Sequence, residues 1–178
     1  MKLAVLFPGI GYHGDKPLLY YSRKAAGENG YQTITVSYGK FPEKVRGSEE
    51  KMRQAFRMAL EWAEETLKGV RFQDYREILF ISKSVGTAVA AAFAAEHGLN
   101  CRNIYFTKTP KQEAEQLVLL MASLHNQQAL PSFSSRRTII IHTSQIPRLY
   151  TSSQDYAPRA ALFPSHRKEL SERLSLIR

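Results

Sequence analysis

Residues 80–98, "FISKSVGTAVAAAFAAEHG", hold a serine, Ser84, flanked by a small residue two positions before it, Ser82, and a glycine two positions after it, Gly86. Ser-x-Ser-x-Gly is a G-x-S-x-G pattern with serine in place of the first glycine. Where such a pentapeptide joins a strand to a helix, the turn is too sharp for larger side chains at its flanks. It lifts the serine hydroxyl to the carboxyl end of the strand, beside the positive end of the next helix. The chemistry served is acyl transfer, with the hydroxyl as nucleophile and backbone N–H groups holding the oxyanion. A serine in this place can also be only a helix N-cap, and the pentapeptide alone leaves the two readings level.

A second glycine signal follows the first apolar run. In "GIGYHG", residues 9–14, Gly9, Gly11 and Gly14 are spaced G-x-G-x-x-G, the dinucleotide fingerprint. The second strand ends "VSYGK" and offers no carboxylate for ribose hydroxyls, so this reading needs NADP, with Lys40 on its phosphate. The next helix opens only at Asp15 to Pro17, which leaves a long loop where a pyrophosphate should meet a helix N-terminus. The serine reading uses the same glycines more fully. Val85 supplies one oxyanion donor, and the "FPGIGY" loop supplies another from Ile10 or Gly11.

These groups need elements to position them. "KLAVLF" (2–7), "YQTITVSY" (31–38), "EILFIS" (77–82) and "NIYFT" (103–107) read as short strands, the apolar ones as buried parallel strands. Helices are expected between them: 17–28 with Asp15 as cap and Pro17 in the first turn, 48–68 after a Ser-Glu-Glu start, and an alanine-rich helix over 85–97. The middle helix carries Met52, Ala55, Phe56, Ala59, Leu60 and Ala63 on one stripe. This alternation predicts an α/β fold, three-layer α/β/α with a mostly parallel sheet. Further on, "KQEAEQLVLLMASLHNQQ" reads as a helix, "TIIIH" (138–142) and "RAALF" (159–163) as strands, and "SHRKELSERLSLI" as a terminal helix. No linker divides the chain, so 1–178 is read as one domain, although all ten glycines fall at or before Gly98.

Composition narrows the partners. The net charge is +9, but residues 1–98 hold 14 basic against 11 acidic side chains, and residues 99–178 hold 11 against 5. The excess is scattered and lacks interleaved aromatics, which argues for a solvated surface and against nucleic acid. The single cysteine, Cys101, allows no internal disulfide and suits a reducing, cytoplasmic setting. Pro8-Gly9 interrupts the first apolar run before it reaches signal-peptide length, and no run approaches the roughly 18 apolar residues of a membrane span.

"LFPGIGYHGDKPLLYYSRKAAGENGYQTITVSYGKFP", "MRQAFRMALEWAEE" and "ILFISKSVGTAVAAAFAAEHGLNCRNIYFT" resemble the small, lidless bacterial α/β-hydrolase proteins, over about residues 1–107. The resemblance implies a minimal α/β-hydrolase fold, Ser84 as nucleophile, a small-molecule acyl substrate (ester, thioester or amide), and neither metal nor cofactor. It makes His166, after "AALFP", the base. The family's acid lies in an F-H-G-T-x-D-like segment, but here "IIIHTSQIP" places Thr143 at the glycine and Ile146 at the aspartate. Asp155 is then the nearest later carboxylate to orient His166, with Glu113 or Glu115 as alternatives. His13 could line the site, whereas His97, His125 and His142 read as structural. A serine hydrolase of esterase type is the first expectation. A non-catalytic hydrolase-fold protein with an incomplete triad is the second, and an NADP-binding Rossmann domain the third.

Overall fold

Every position of "LAVLF" is apolar, and a strand apolar on both faces must be covered on both. The computed structural model describes residues 1–45, 48–107 and 138–142, and in it this segment lies inside the sheet. The elements are β1 (Lys2–Phe7), α1 (Pro17–Glu28), β2 (Tyr31–Thr35), α2 (Glu49–Leu67), β3 (Glu77–Lys83), α3 (Val85–Glu96), β4 (Arg102–Thr107) and β5 (Thr138–His142). A short 3₁₀ turn, Phe72–Asp74, leads into β3. The expected helix after residue 110, the strand at 159–163 and the terminal helix lie outside the described residues.

The five strands are parallel, in the order β2-β1-β3-β4-β5. β1 therefore pairs on both edges, Leu6 standing opposite Thr35 on one side and Ile81 on the other. The chain winds one way from β1 to β2 and the other way from β3 onward. The winding reverses between β1 and β3, and in open parallel sheets ligands bind outside the carboxyl ends of the strands at such a switch.

Alternation along β1 divides its side chains between two core clusters, as a period of two requires. Leu3, Val5 and Phe7 join Phe56, Ala59, Leu60 and Ala63 of α2 and Ala88, Val89, Ala92 and Phe93 of α3. Ala4 and Leu6 join Leu18, Leu19 and Ala26 of α1 with Ile81 and Phe106. The alanines of α3 are buried almost along its whole length, and Phe93 of the same helix meets Phe7 and Phe80 of the sheet in their cluster, with the Phe7 and Phe80 centroids 4.9 Å apart.

Two local expectations are corrected. The alternation of "YQTITVSY" continues to Tyr38, but β2 ends at Thr35. The Val36 N–H still donates to the Leu6 carbonyl (2.9 Å), after which Tyr38 packs against Phe41 and Trp62, at centroid distances of 5.6 and 6.1 Å. Asp15 does not cap α1: Lys16 holds the cap position and supplies no side-chain bond, while Asp15 pairs with Arg23 at 3.3 Å. α2 starts as expected, with the Lys51 N–H donating to Ser48 Oγ (3.3 Å).

At the amino edge of the sheet, residues from four strands meet on one carboxylate. The Tyr31 hydroxyl donates to Glu77 Oε1 (2.5 Å), Arg102 Nη1 lies 3.1 Å from the same oxygen, and Lys2 Nζ is 3.7 Å from Oε2. Partial burial pushes the Glu77 carboxyl up. The Tyr31 hydrogen bond and the charges of Arg102 and Lys2 outweigh that and hold it below its ordinary value. No helix among the described residues is long and apolar enough to cross a membrane.

Candidate active site

β3 runs into α3 with a single residue between them, Ser84. Its backbone has φ 55° and ψ −126°, and Ser84 and Lys44 are the only non-glycine residues with positive φ among the described residues. Such a conformation costs an L-residue about 1–3 kcal/mol and persists only where its surroundings impose it. Here they do. The Ser84 N–H donates to the Phe106 carbonyl of β4 (3.2 Å), and the Ser84 carbonyl accepts from the Thr87 N–H (2.9 Å).

Ser84 occupies the N-cap position of α3, yet its side chain makes no capping hydrogen bond. The hydroxyl-bearing residue is exposed, whereas Ser82, Val85 and Gly86 around it are buried. Ser82 is held inward, its Oγ 3.4 Å from Thr87 Oγ1 and 3.5 Å from the Ile104 carbonyl. Gly86 packs so tightly under the first loop that a Cβ would overlap the carbonyl oxygens of Pro8 and Phe7.

That loop is the "FPGIGY" segment. Gly9 and Tyr12 close it with two backbone bonds, Gly9 N–H to Tyr12 carbonyl (3.1 Å) and Tyr12 N–H to Gly9 carbonyl (3.0 Å). Gly11, at φ 69°, takes the third position of this turn, which a side chain would disfavour. The turn consumes the N–H groups of its end residues and, among the described residues, leaves those of Ile10 and Gly11 without a hydrogen-bond acceptor. Val85 opens α3, where the first N–H groups have no intrahelical acceptor. An exposed serine thus adjoins both the loop after β1 and the first turn of α3, at the carboxyl end of a strand beside the switch point of the sheet. Groups of this kind suit attack on a carbonyl carbon with stabilisation of the resulting oxyanion.

The remaining expected residues fall differently. His166, Asp155, Glu113, Glu115 and His125 lie outside the described residues. His13 follows the turn and is largely exposed, its Nδ1 3.9 Å from Asp15 Oδ2. His97 pairs with Glu64 (2.8 Å) and packs against Phe93, as a structural residue does. It lines a cavity of about 580 Å³ with Glu61, Glu64, Phe72 and Phe93, at the carboxyl ends of α2 and α3 and away from Ser84. His142 pairs in register with Thr107 at the carboxyl edge of the sheet. No cluster of three or more His, Cys, Asp or Glu side chains able to hold a metal occurs among the described residues.

Two contributors were not foreseen. Tyr12 reaches from the turn to α1, its hydroxyl oxygen accepting from the Leu18 N–H (3.0 Å). Lys83, next to Ser84, places its Nζ 4.7 Å from the centroid of the Tyr12 ring. The signal for Tyr12 was its place at the end of a Gly-x-Gly turn, shortly before a helix with Pro at its first position; that Asp15 leaves the helix uncapped shows only in the structure.

Fold and site together define an α/β protein whose described residues form five parallel strands in one sheet, with a strained serine turn at its switch point. No family model, curated protein or solved structure matches the chain.

Proposed function

We propose that this chain is a serine hydrolase of the minimal, lidless α/β-hydrolase fold, with three α/β/α layers, cleaving a small ester, thioester or amide through an acyl-enzyme on Ser84. The observation that carries the reading is the backbone of Ser84, at φ 55° and ψ −126° with no capping bond from its side chain. A serine serving only as a cap would sit in the extended region and bond an N–H of the first turn, as Ser48 does at α2.

In the proposed reaction Ser84 Oγ attacks the carbonyl carbon while His166 takes the hydroxyl proton. The N–H groups of Val85 and of Ile10 or Gly11 hold the oxyanion, and His166 returns the proton to the leaving group as the acyl-enzyme forms. Water then attacks the acyl carbon as His166 takes its proton, and the acyl–Oγ bond breaks as His166 returns that proton to Ser84 Oγ, releasing the acid and regenerating the serine and the base. Asp155 orients His166. The division of the core between α1 on one side and α2 with α3 on the other supports the layered fold. The lone, buried Cys101 supports a cytoplasmic setting.

The NADP reading is weaker, because Gly9 is engaged against the end of β3 and α1 begins only at Pro17. The test is labelling of the folded chain with a fluorophosphonate probe, followed by peptide mass mapping. An adduct on Ser84, absent from Ser84→Ala and strongly slowed in His166→Ala, is the expected result. A folded wild-type chain that takes no adduct overturns the reading in favour of a non-catalytic protein with an incomplete triad.

A further inference from the structure

We propose that Tyr12 is a positioning residue that fixes the Ile10 and Gly11 N–H groups beside Ser84, an inference that rests on the hydrolase reading for its catalytic consequence. Three elements converge on this side chain. Its own backbone closes the turn with Gly9 through bonds of 3.1 and 3.0 Å. Its hydroxyl oxygen takes the Leu18 N–H at 3.0 Å, and its ring lies 4.7 Å from Lys83 Nζ, one residue before Ser84.

The hydroxyl does a job that no neighbour does. Pro17 has no N–H, Lys16 gives no side-chain cap, and Leu18 therefore carries the first N–H of α1. By accepting it, Tyr12 ties the turn to a helix that is itself buried in the core through Leu18 and Leu19. Burial raises the Tyr12 hydroxyl to about 12, partly offset by the Leu18 bond, so the ring stays neutral at physiological pH. On the other side, Gly9 lies against the Lys83 carbonyl, where an added Cβ would be only 3.0 Å from the oxygen. The turn is thus held between β3 and α1, with Tyr12 spanning the gap. Oxyanion donors act through fixed geometry, because donors that must reorganise during reaction lose most of their effect.

The test compares wild type, Tyr12→Phe and Tyr12→Leu as full chains. The first variant keeps the ring under Lys83 and removes the acceptor; the second removes both. Amide order parameters report the turn directly and need no activity. Ile10 and Gly11 are expected near about 0.85 in wild type and below about 0.6 in Tyr12→Leu, with Tyr12→Phe between them. With a p-nitrophenyl ester as substrate, Tyr12→Phe is expected to lower kcat about tenfold with KM within twofold, the pattern of an interaction used only in the transition state. Order parameters unchanged in both variants overturn the proposal. So does a kcat that stays at the wild-type level while thermal stability falls, since that describes a purely structural tyrosine. Wild type inert towards ester and probe, with the order loss still present, removes the hydrolase reading and leaves Tyr12 as the strut of this turn.

Discussion

Gly9 and Ser84 meet above the sheet so closely that a Cβ on Gly9 would stand 3.1 Å from the Cβ of Ser84. Gly9 belongs to the loop after β1 and Ser84 to the end of β3, strands adjacent in space though far apart in sequence. Backbone from the first loop therefore stands directly beside the serine. The loop after β1 and the first turn of α3 are thereby brought together at the carboxyl end of β3.

The conformation of Ser84 makes a specific demand on stability. Glycine tolerates positive φ at no steric cost, whereas alanine keeps the Cβ that makes φ 55° unfavourable. Ser84→Gly is expected to be more stable than Ser84→Ala by about 1 kcal/mol, after the larger chain entropy of glycine is deducted. Urea unfolding of the two variants checks this. Equal midpoints would mean that the turn is unstrained.

Gly86 sets the distance between α3 and the first loop. In Gly86→Ala the new methyl overlaps backbone oxygens of Phe7 and Pro8, which cannot swing aside as a flexible side chain would. A loss of about 3 kcal/mol is expected, with fluorophosphonate labelling of Ser84 lost as well. Gly27→Ala serves as a control. Gly27 is exposed within α1 and its added Cβ meets nothing within 4 Å, so a gain of about 0.5 kcal/mol is expected there.

The carboxylate at the opposite edge of the sheet gives a pH signature. Glu77 is held below its ordinary value of 4.5 in the folded state, where Tyr31, Arg102 and Lys2 face it. A depressed carboxyl contributes stability that is fully present above the unfolded value and is lost as pH falls through the lower, folded one. The stability difference between wild type and Glu77→Gln is therefore expected to stay level from neutrality to about pH 5.5 and to shrink below 4.5. Denaturant titrations at successive pH values would show it. A difference that widens on acidification contradicts the assignment.

Ser48 offers a simpler measurement. Its Oγ accepts the Lys51 N–H at the start of α2, with Glu49 and Glu50 in the first turn. Ser48→Ala is expected to cost about 1 kcal/mol and Ser48→Asp to retain most of it, read as shifts in the urea midpoint.

The strands and helices were legible because their apolar spacing matches their surroundings. β1 and β3 are apolar at nearly every position because both faces are covered, and the stripe from Ala55 to Ala63 is the face of α2 that is buried. Strand ends were less legible. Tyr38 alternates correctly with Val36, and only its contact with Phe41 and Trp62 takes it out of β2. Asp15 has the chemistry of a cap, but Arg23 engages it at a distance from the first N–H of α1. The pentapeptide around Ser84 located the serine but could not supply its φ, which depends on bonds to Phe106 and on contact between Gly86 and the loop after β1. The meeting of Lys2, Tyr31, Glu77 and Arg102 was in principle visible, since each opens its strand. Reading it required knowing which strands are neighbours.

The pairing of β1 on both edges has a consequence for synthesis on the ribosome. β1 can join β2 as soon as residue 35 has emerged, but its other edge finds a partner only when residues 77–83 leave the exit tunnel. Until then a nascent chain displays one open edge of an apolar strand, the kind of surface that recruits chaperones or neighbouring chains. The contact between Gly9 and Ser84 needs residue 84, and the Ser84 N–H needs the Phe106 carbonyl of β4, so every shorter translation intermediate lacks the bond that holds the strained turn.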